Sequence, residues 1–480
     1  MLSKLFKSLN AKQNHGSDER QRRSATQDPL VSDPLLADLD MDGVAVLTRD
    51  QHCISRKNIS PGALKVLYKL DSEGYQAFLV GGGVRDLLLG NRPKDFDIAT
   101  DATPEQLREL FRNARIIGRR FKIVHIRFGR EIIEATTFRA HHQPMEVTRE
   151  KSRKALMNLD SAHSSSGMIL RDNVYGDINE DALRRDFTVN ALYYTIRNFL
   201  ILDFSSGMDD IKQRRIRIIG DPTTRYKEDP VRMLRAIRFS AKLDFTIEEN
   251  TREPINNLAE MLGSVAPARL FDETLKLLSN GHGVRTFELL TEFEVGKFLF
   301  PDTLTCMKRG DIPENKLVEL ALKNTDNRIA EGKSVTPAFL FAALLWPALR
   351  SRLDGSLAEN QPSIQHLHQV ADQIIGRQLH YTAIPRRFYL ATKEIWELQL
   401  RLQRRNQRGV QTAYQHPRFR AGYDFLLLRE ESGEQLAGLG QWWTQFQLAD
   451  TTVQANMIKA LSSQQRSRRR PNRRRHRKVQ

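Results

Sequence analysis

The run Gln76-Ala77-Phe78-Leu79-Val80 is apolar and ends directly on Gly81-Gly82-Gly83, after which Val84-Arg85-Asp86 begins a further segment. Such a run has the length of a buried strand, and glycines at its end permit a sharp turn into a helix that side chains would obstruct. A second short strand, Phe96-Asp97-Ile98-Ala99-Thr100, follows closely. Strand, glycine turn, helix and strand in such quick succession require a sheet with a helix packed on it. The ordered part of this chain therefore opens as an α+β domain.

Neighbouring segments extend that domain. Ser60 is placed to cap a helix with Pro61 at its first position and Leu64, Leu67, Tyr68 and Leu70 facing a core, ending near Gly74. Thr103-Pro104-Glu105 opens another, running to about Arg112. Residues 122–128 and 130–138, separated by one glycine, read as a hairpin. Together they predict a small mixed sheet with helices against it. Residues 140–175 turn polar around Ser164-Ser165-Ser166-Gly167 and are expected to form a flexible loop beside the active site. After a helical start at Asn179 and a strand pair around residues 192–219, helical periodicity dominates from Asp229 to about 460. Residues 1–57 are polar and aperiodic, and are expected to be disordered.

The chain has 480 residues, enough for about three domains. Its formal charge of +17 favours a polyanionic partner. Nine of those charges are eight Arg and one Lys between Arg466 and Lys478, a stretch without an acid, so the body retains +8. Arg468, Arg469, Arg470, Arg473, Arg474 and Arg475 thus form an electrostatic arm of the kind that binds RNA, DNA or anionic lipid without sequence preference, nucleic acid being the favoured partner, and residues 461–480 are expected to be a disordered tail. With only Cys53 and Cys306, no disulfide framework or cysteine-based zinc cluster is available. No apolar stretch is long enough to span a bilayer; Pro337 to Trp346 is too short and reads as a buried helix. A cytoplasmic protein without membrane insertion is expected.

Two carboxylates one residue apart on a strand project from one face, roughly 6.5 to 7 Å apart along the backbone. Asp95 and Asp97 have this spacing, and Phe96 between them anchors the other face. The spacing suits two Mg²⁺ ions, which take oxygen ligands and clamp both ends of an in-line phosphoryl displacement; Mn²⁺ is a conceivable substitute. The plain alternative is a solvated strand edge. Gly81 and Gly82 offer backbone N–H groups to a phosphate and Arg85 a guanidinium, unless Arg85 simply pairs with Asp86. Glu134 is in phase with Ile132 and Thr136 and is one candidate for a third acid. Asp186, in Arg184-Arg185-Asp186-Phe187-Thr188, is the other, with Arg185 a further phosphate contact. Its alternative is a structural ion-pair cluster, and the sequence leaves the choice open. Asp229 is a plausible N-cap for a helix with Pro230 first, where Asp229 and Arg232 would be neighbours able to read a base edge, or merely to cap and solvate.

These motifs in this order resemble the class II nucleotidyltransferases of the polymerase β superfamily, which comprise CCA-adding tRNA nucleotidyltransferases and bacterial poly(A) polymerases. The resemblance covers about residues 60–280. It implies a catalytic head (58–205), a neck that binds base and RNA (206–285) and a helical RNA-binding body (286–460). It also implies that Asp95 and Asp97 bind metal, that Asp186 is catalytic, and that Asp229 and Arg232 read the incoming base. The stretch Ile116 to Ile126 containing Arg119-Arg120-Phe121 resembles the marker of the poly(A) branch. In many CCA-adding relatives a His-Asp hydrolase pair follows the equivalent of Ala342-Ala343-Leu344-Leu345; here Trp346-Pro347 stands instead. The arginine tail points the same way. The implied activity is addition of AMP from ATP to RNA 3′ ends with release of pyrophosphate, promoting RNA turnover. CCA addition is the alternative, and a non-catalytic RNA-binding protein on the same fold a remote one. RNA-decay or RNA-chaperone proteins are the protein partners such an activity implies.

Overall fold

The computed structural model describes residues 42–118, 122–140, 161–163, 169–172, 174–308, 312–354 and 363–468. Its N-terminal half is built on an eight-stranded sheet. In chain order the strands are β1 (Ala45–Leu47), β2 (Ala77–Val80), β3 (Asp97–Thr100), β4 (Ala114–Ile117), β5 (Ile123–Phe128), β6 (Glu131–Thr137), β9 (Leu192–Tyr194) and β10 (Ile201–Asp203), while β7 (Ser161–His163) and β8 (Ile169–Asp172) form a separate ribbon. Across the large sheet the order is β1-β10-β9-β2-β3-β6-β5-β4. All neighbours are antiparallel except β3 and β6, so the sheet is mixed as expected.

The first helices start where local chemistry places them. In α1 (Pro61–Ser72) the Ser60 hydroxyl accepts from the Ala63 N–H at 3.1 Å. Gly81 opens α2 (Gly82–Leu88) with φ +67°, a conformation suited to glycine. Thr103 and Gln106 form a reciprocal capping box for α3 (Pro104–Leu110). Helices α1 and α3 pack on one face of the sheet, over Val124, Ile126, Ile133 and Ala135. The opposite face carries Phe78, Val80, Ala99, Tyr193 and Leu202, against which α4 (Ile178–Leu183) buries Ile178 and Ala182.

Beyond β10 come α5 (Gly207–Gln213), α6 (Pro222–Glu228) and α7 (Val231–Leu243), and then helices almost throughout. One apolar cluster continues from the sheet through α7 into the later helices, and a second gathers around Trp443 and Phe446. The segment Pro337–Leu344 is a buried helix, as its composition requires. Among the described residues no helix is long and apolar enough to cross a membrane.

Three expectations need correction. Order begins earlier than residue 58, because Ala45–Leu47 pairs with Ile201–Asp203 as the sheet's edge strand; three residues are too few to show a period. The polar 140–175 stretch contains the β7–β8 ribbon, and its other residues from 141 to 168 lie outside the described ones. The last helix, Thr451–Arg468, extends past residue 461.

Candidate active site

The sheet register brings the head's acids together. Parallel pairing of β3 with β6 sets Asp97 opposite Glu134, and antiparallel pairing of β6 with β5 sets Glu134 opposite His125. His125 Nε2 lies 3.2 Å from Glu134 Oε1. Phe96 is buried, anchoring the turn that leads into β3. Burial pushes the Asp97 carboxyl up to about 6; Glu134 and Asp95 add to this and Arg185 opposes it. Among the described residues neither the Asp95 nor the Asp97 carboxylate takes part in a hydrogen bond or ion pair.

Carboxylates gathered with no donor of their own at Asp95 and Asp97 suit a metal ion. No three His, Cys, Asp or Glu side chains converge into a cage among the described residues. An open carboxylate edge of this kind nevertheless fits Mg²⁺, which is held by one or two carboxylates and completes its shell with water and substrate phosphates.

Arg185 is the cation brought to this edge. It follows α4 directly, its Nε donates to Tyr193 Oη at 2.6 Å and its Nη2 to Asp181 at 3.0 Å. Burial acts to lower its pKa, but Tyr193 and Asp181 outweigh that, so it is raised and the group stays charged. A Cβ at Gly81 would lie 3.5 Å from Asp97 Oδ2 and 3.8 Å from Arg185 Nη1. Gly81, Asp97 and Arg185 thus meet at one point, with space that a larger residue would fill.

Arg85 lies elsewhere. It is buried at 2% exposure, its Nε and Nη2 donate to Asp86 at 2.9 and 2.6 Å, and its Nη1 to Asn190 Oδ1 at 2.6 Å. Those donors are spent inside the protein, so Arg85 supports the glycine turn rather than reaching out from it. Asn190 in turn donates to Asp186 Oδ1 at 3.1 Å, and the Phe187 N–H donates to the same oxygen at 2.8 Å. Asp186 Oδ2 accepts from Arg235 Nε at 2.7 Å and from its Nη2. Burial would raise the Asp186 carboxyl, but Arg235, Asn190 and the Phe187 N–H hold it down at about 2. The chain Asp86–Arg85–Asn190–Asp186–Arg235 therefore ties the glycine-turn helix α2 to α7.

The expected base-reading pair is not joined directly. Both Asp229 oxygens accept from Arg269, at 2.8 and 2.6 Å. Arg232 Nη1 donates to Glu228 and to the Arg225 carbonyl, both at 2.7 Å. Asp229 lies at the break between α6 and α7 and Pro230 takes the cap position, although Asp229 Oδ1 still accepts from the Val231 N–H at 3.3 Å. Sequence reasoning missed Arg269 and the arginines around this break. Burial drives Arg184 down to about 9, and the nearby guanidiniums of Arg139, Arg225 and Arg232 add to it. Arg225 is driven to about 10 by burial, then by Arg232. A polyanion beside them would relieve that repulsion. The signal in the sequence was Arg184-Arg185 itself, read only at its second residue. Arg119, Arg120 and Phe121, and Arg469 to Arg475, lie outside the described residues; Arg468 ends the last helix.

Known proteins resemble this chain in sequence and fold. A family profile described as the poly A polymerase head domain matches residues 77–217, one described as a probable RNA and SrmB-binding site of polymerase A matches 244–307, and one described as the polymerase A arginine-rich C-terminus matches 359–478. Poly(A) polymerase I of Escherichia coli O6:H1 is 47% identical over 438 residues, covering 90% of this chain and 92% of that protein. This chain belongs to the poly(A) polymerase family. A CCA-adding enzyme of Lactobacillus helveticus is 34% identical, but over only 49% of this chain and 54% of its own length. The poly(A) polymerase match thus runs through the helical body, which favours that branch over CCA addition. In three dimensions a Thermotoga maritima CCA-adding enzyme complexed with tRNA superposes with a TM-score of 0.53 at 20% identity, covering 84% of this chain and 86% of that one, which shows a common fold. Poly(A) polymerase membership makes this chain a nucleotidyltransferase acting on RNA. At the position of the missing His-Asp pair, Trp346 is buried edge-on to Phe425, with Arg429 over its ring.

Proposed function

We propose that this poly(A) polymerase adds AMP from ATP to RNA 3′ ends at the edge formed by Asp95, Asp97 and Glu134. The observation that carries this is the pair Asp95 and Asp97, whose carboxylates have no internal hydrogen-bond partner among the described residues, with Glu134, held by His125, in register opposite Asp97 across β3 and β6 and with a glycine turn and Arg185 beside them. Asp95 and Asp97 would hold the two Mg²⁺ ions, with Glu134 as the nearest further acid. When bound, those ions neutralise charge on the attacking and leaving oxygens. Asp97, once ionised, accepts no internal donor and keeps its oxygens for that site. Gly81 leaves room for phosphate oxygens, and Arg185, fixed by Tyr193 and Asp181, presents Nη1 to the triphosphate.

Asp186 holds Arg235 and, through Asn190, Arg85, so that the nucleotide-binding surfaces of head and neck keep a fixed relation. Asp229 and Arg232, steadied by Arg269 and Glu228, form the adenine-reading pair, a carboxylate acceptor and a guanidinium donor at the break between α6 and α7. Arg184 and Arg225 supply positive potential alongside. The arginine-rich tail retains RNA without regard to its sequence, as suits repeated addition in the cytoplasm.

The test is extension of a generic RNA oligonucleotide with Mg²⁺ and each nucleoside triphosphate separately. Long ladders with ATP alone are the expected product. Extension of a tRNA lacking its end that needs CTP and stops after three nucleotides would overturn the reading in favour of CCA addition.

A further inference from the structure

The row of residues that contains Asp97 and Glu134 continues to the edge of the sheet. Register pairs Asp97 with Glu134, Glu134 with His125 and His125 with Arg115, so the four occupy one face on β3, β6, β5 and β4. At about 4.8 Å per strand, Arg115 lies roughly 14 Å from Asp97. The next pair along, Arg127 opposite Ile132, is on the same face. Helices α1 and α3 cover the other side of these strands, where Val124, Ile126, Ile133 and Ala135 are buried. Arg115 and Arg127 are exposed, and Ile132 is 44% exposed. Neither arginine forms an ion pair among the described residues. An open sheet face beside a reaction edge, carrying two uncompensated guanidiniums and an exposed aliphatic side chain, is complementary to a flexible polyanion with apolar faces.

We propose that this face is the seat of the RNA primer: the single-stranded segment behind the 3′-terminal nucleotide lies across β6, β5 and β4. Its phosphodiesters meet Arg115 and Arg127, and Ile132 packs against a base or ribose. His125 stays on Glu134 and keeps that carboxylate turned along the row. The arrangement directs the 3′-hydroxyl toward Asp97 from the side opposite α4, leaving the Gly81–Arg185 side to the triphosphate. It rests on Asp97 and Glu134 being the reacting edge.

The test uses the full chain with Arg115→Glu, Arg127→Glu and both together, measured with a single-stranded RNA primer and ATP. The KM for RNA should rise at least about tenfold in the double variant, with kcat at saturating RNA and the KM for ATP within about twofold of wild type. The slope of log affinity against log salt should fall by about 0.7 for each arginine removed. In the wild-type chain, 4-thiouridine two or three nucleotides from the 3′ end should crosslink to residues 115–132. An unchanged RNA KM and salt slope, crosslinks confined to the helical body, or a rise in the KM for ATP alone would overturn the proposal. Failure of the reaction edge itself is separable, because it shows as substantial incorporation by Asp97→Asn.

Discussion

Asp97 and Asp186 are both half-buried acids of the head, and they are treated in opposite ways. Asp97 has carboxylates for neighbours and no internal donor, and its pKa is pushed up to about 6 by burial, Glu134 and Asp95. Asp186 is half-buried too, yet a guanidinium, an amide and a backbone N–H hold it at about 2. The first, opposed only in part by Arg185, carries a charge that no internal donor satisfies and that a cation from solution can relieve; the second uses its charge to join α7 to the head. A protein needing only stability would not leave Asp97 as it is, because an unpaired buried carboxylate costs free energy. In the proposed reaction Asp97 serves the chemistry and Asp186 keeps its parts in place.

Replacing the two acids one at a time should separate their roles most sharply. Asp97→Asn should reduce AMP incorporation by at least about a thousandfold, or about 4 kcal/mol, while RNA binding stays within about twofold. Asp186→Asn should also reduce incorporation, but together with a weaker apparent affinity for ATP, because Arg235 and Arg85 lose their shared anchor. Substantial incorporation by Asp97→Asn, measured in single-turnover assays at saturating ATP and RNA, would contradict the assignment.

A smaller effect concerns pH. Asp97's folded pKa lies above the unfolded value of 3.8, so its contribution to stability is present below about pH 4 and is lost as pH rises through about 6. Activity runs the other way, since the carboxylate must be ionised. At low Mg²⁺ the rate should climb through about pH 6, and higher Mg²⁺ should move that limb to lower pH. Rate profiles at two Mg²⁺ concentrations measure it, and a limb insensitive to Mg²⁺ would detach Asp97 from the metal.

Much of this was legible in the sequence, and what was legible was local. Ser60 and Thr103 cap the helices they were expected to cap, and the hairpin around Gly129 falls where its alternation placed it. Asp97 opens its strand with Asp95 exposed just before it, and Glu134 falls opposite Asp97. The pairing of Arg85 with Asp86 was one of the two readings open in the sequence; what escaped was the distant partner of each guanidinium. Arg85 reaches Asn190, Arg235 reaches Asp186 and Arg269 reaches Asp229, with separations of 105, 49 and 40 residues. No periodicity encodes such contacts, since each is set by the packing of elements distant in the chain. Arg85 and Arg232 therefore looked more available in the sequence than they are in the fold.

The account turns on whether the charge at Asp97 is a stored cost and the charge at Asp186 a contribution. Thermal unfolding of the wild type, Asp97→Asn and Asp186→Asn at pH 8, in EDTA and in Mg²⁺, measures this directly. In EDTA, Asp97→Asn should be more stable than wild type by up to about 2–3 kcal/mol, the cost of ionising a carboxyl so displaced. Asp186→Asn should be less stable by about 3–5 kcal/mol, as when one partner of a buried ion pair is removed. Mg²⁺ should raise the Tm of the wild type and of Asp186→Asn but not of Asp97→Asn. An Asp97→Asn protein that is destabilised in EDTA, or that still gains from Mg²⁺ as the wild type does, would contradict the account.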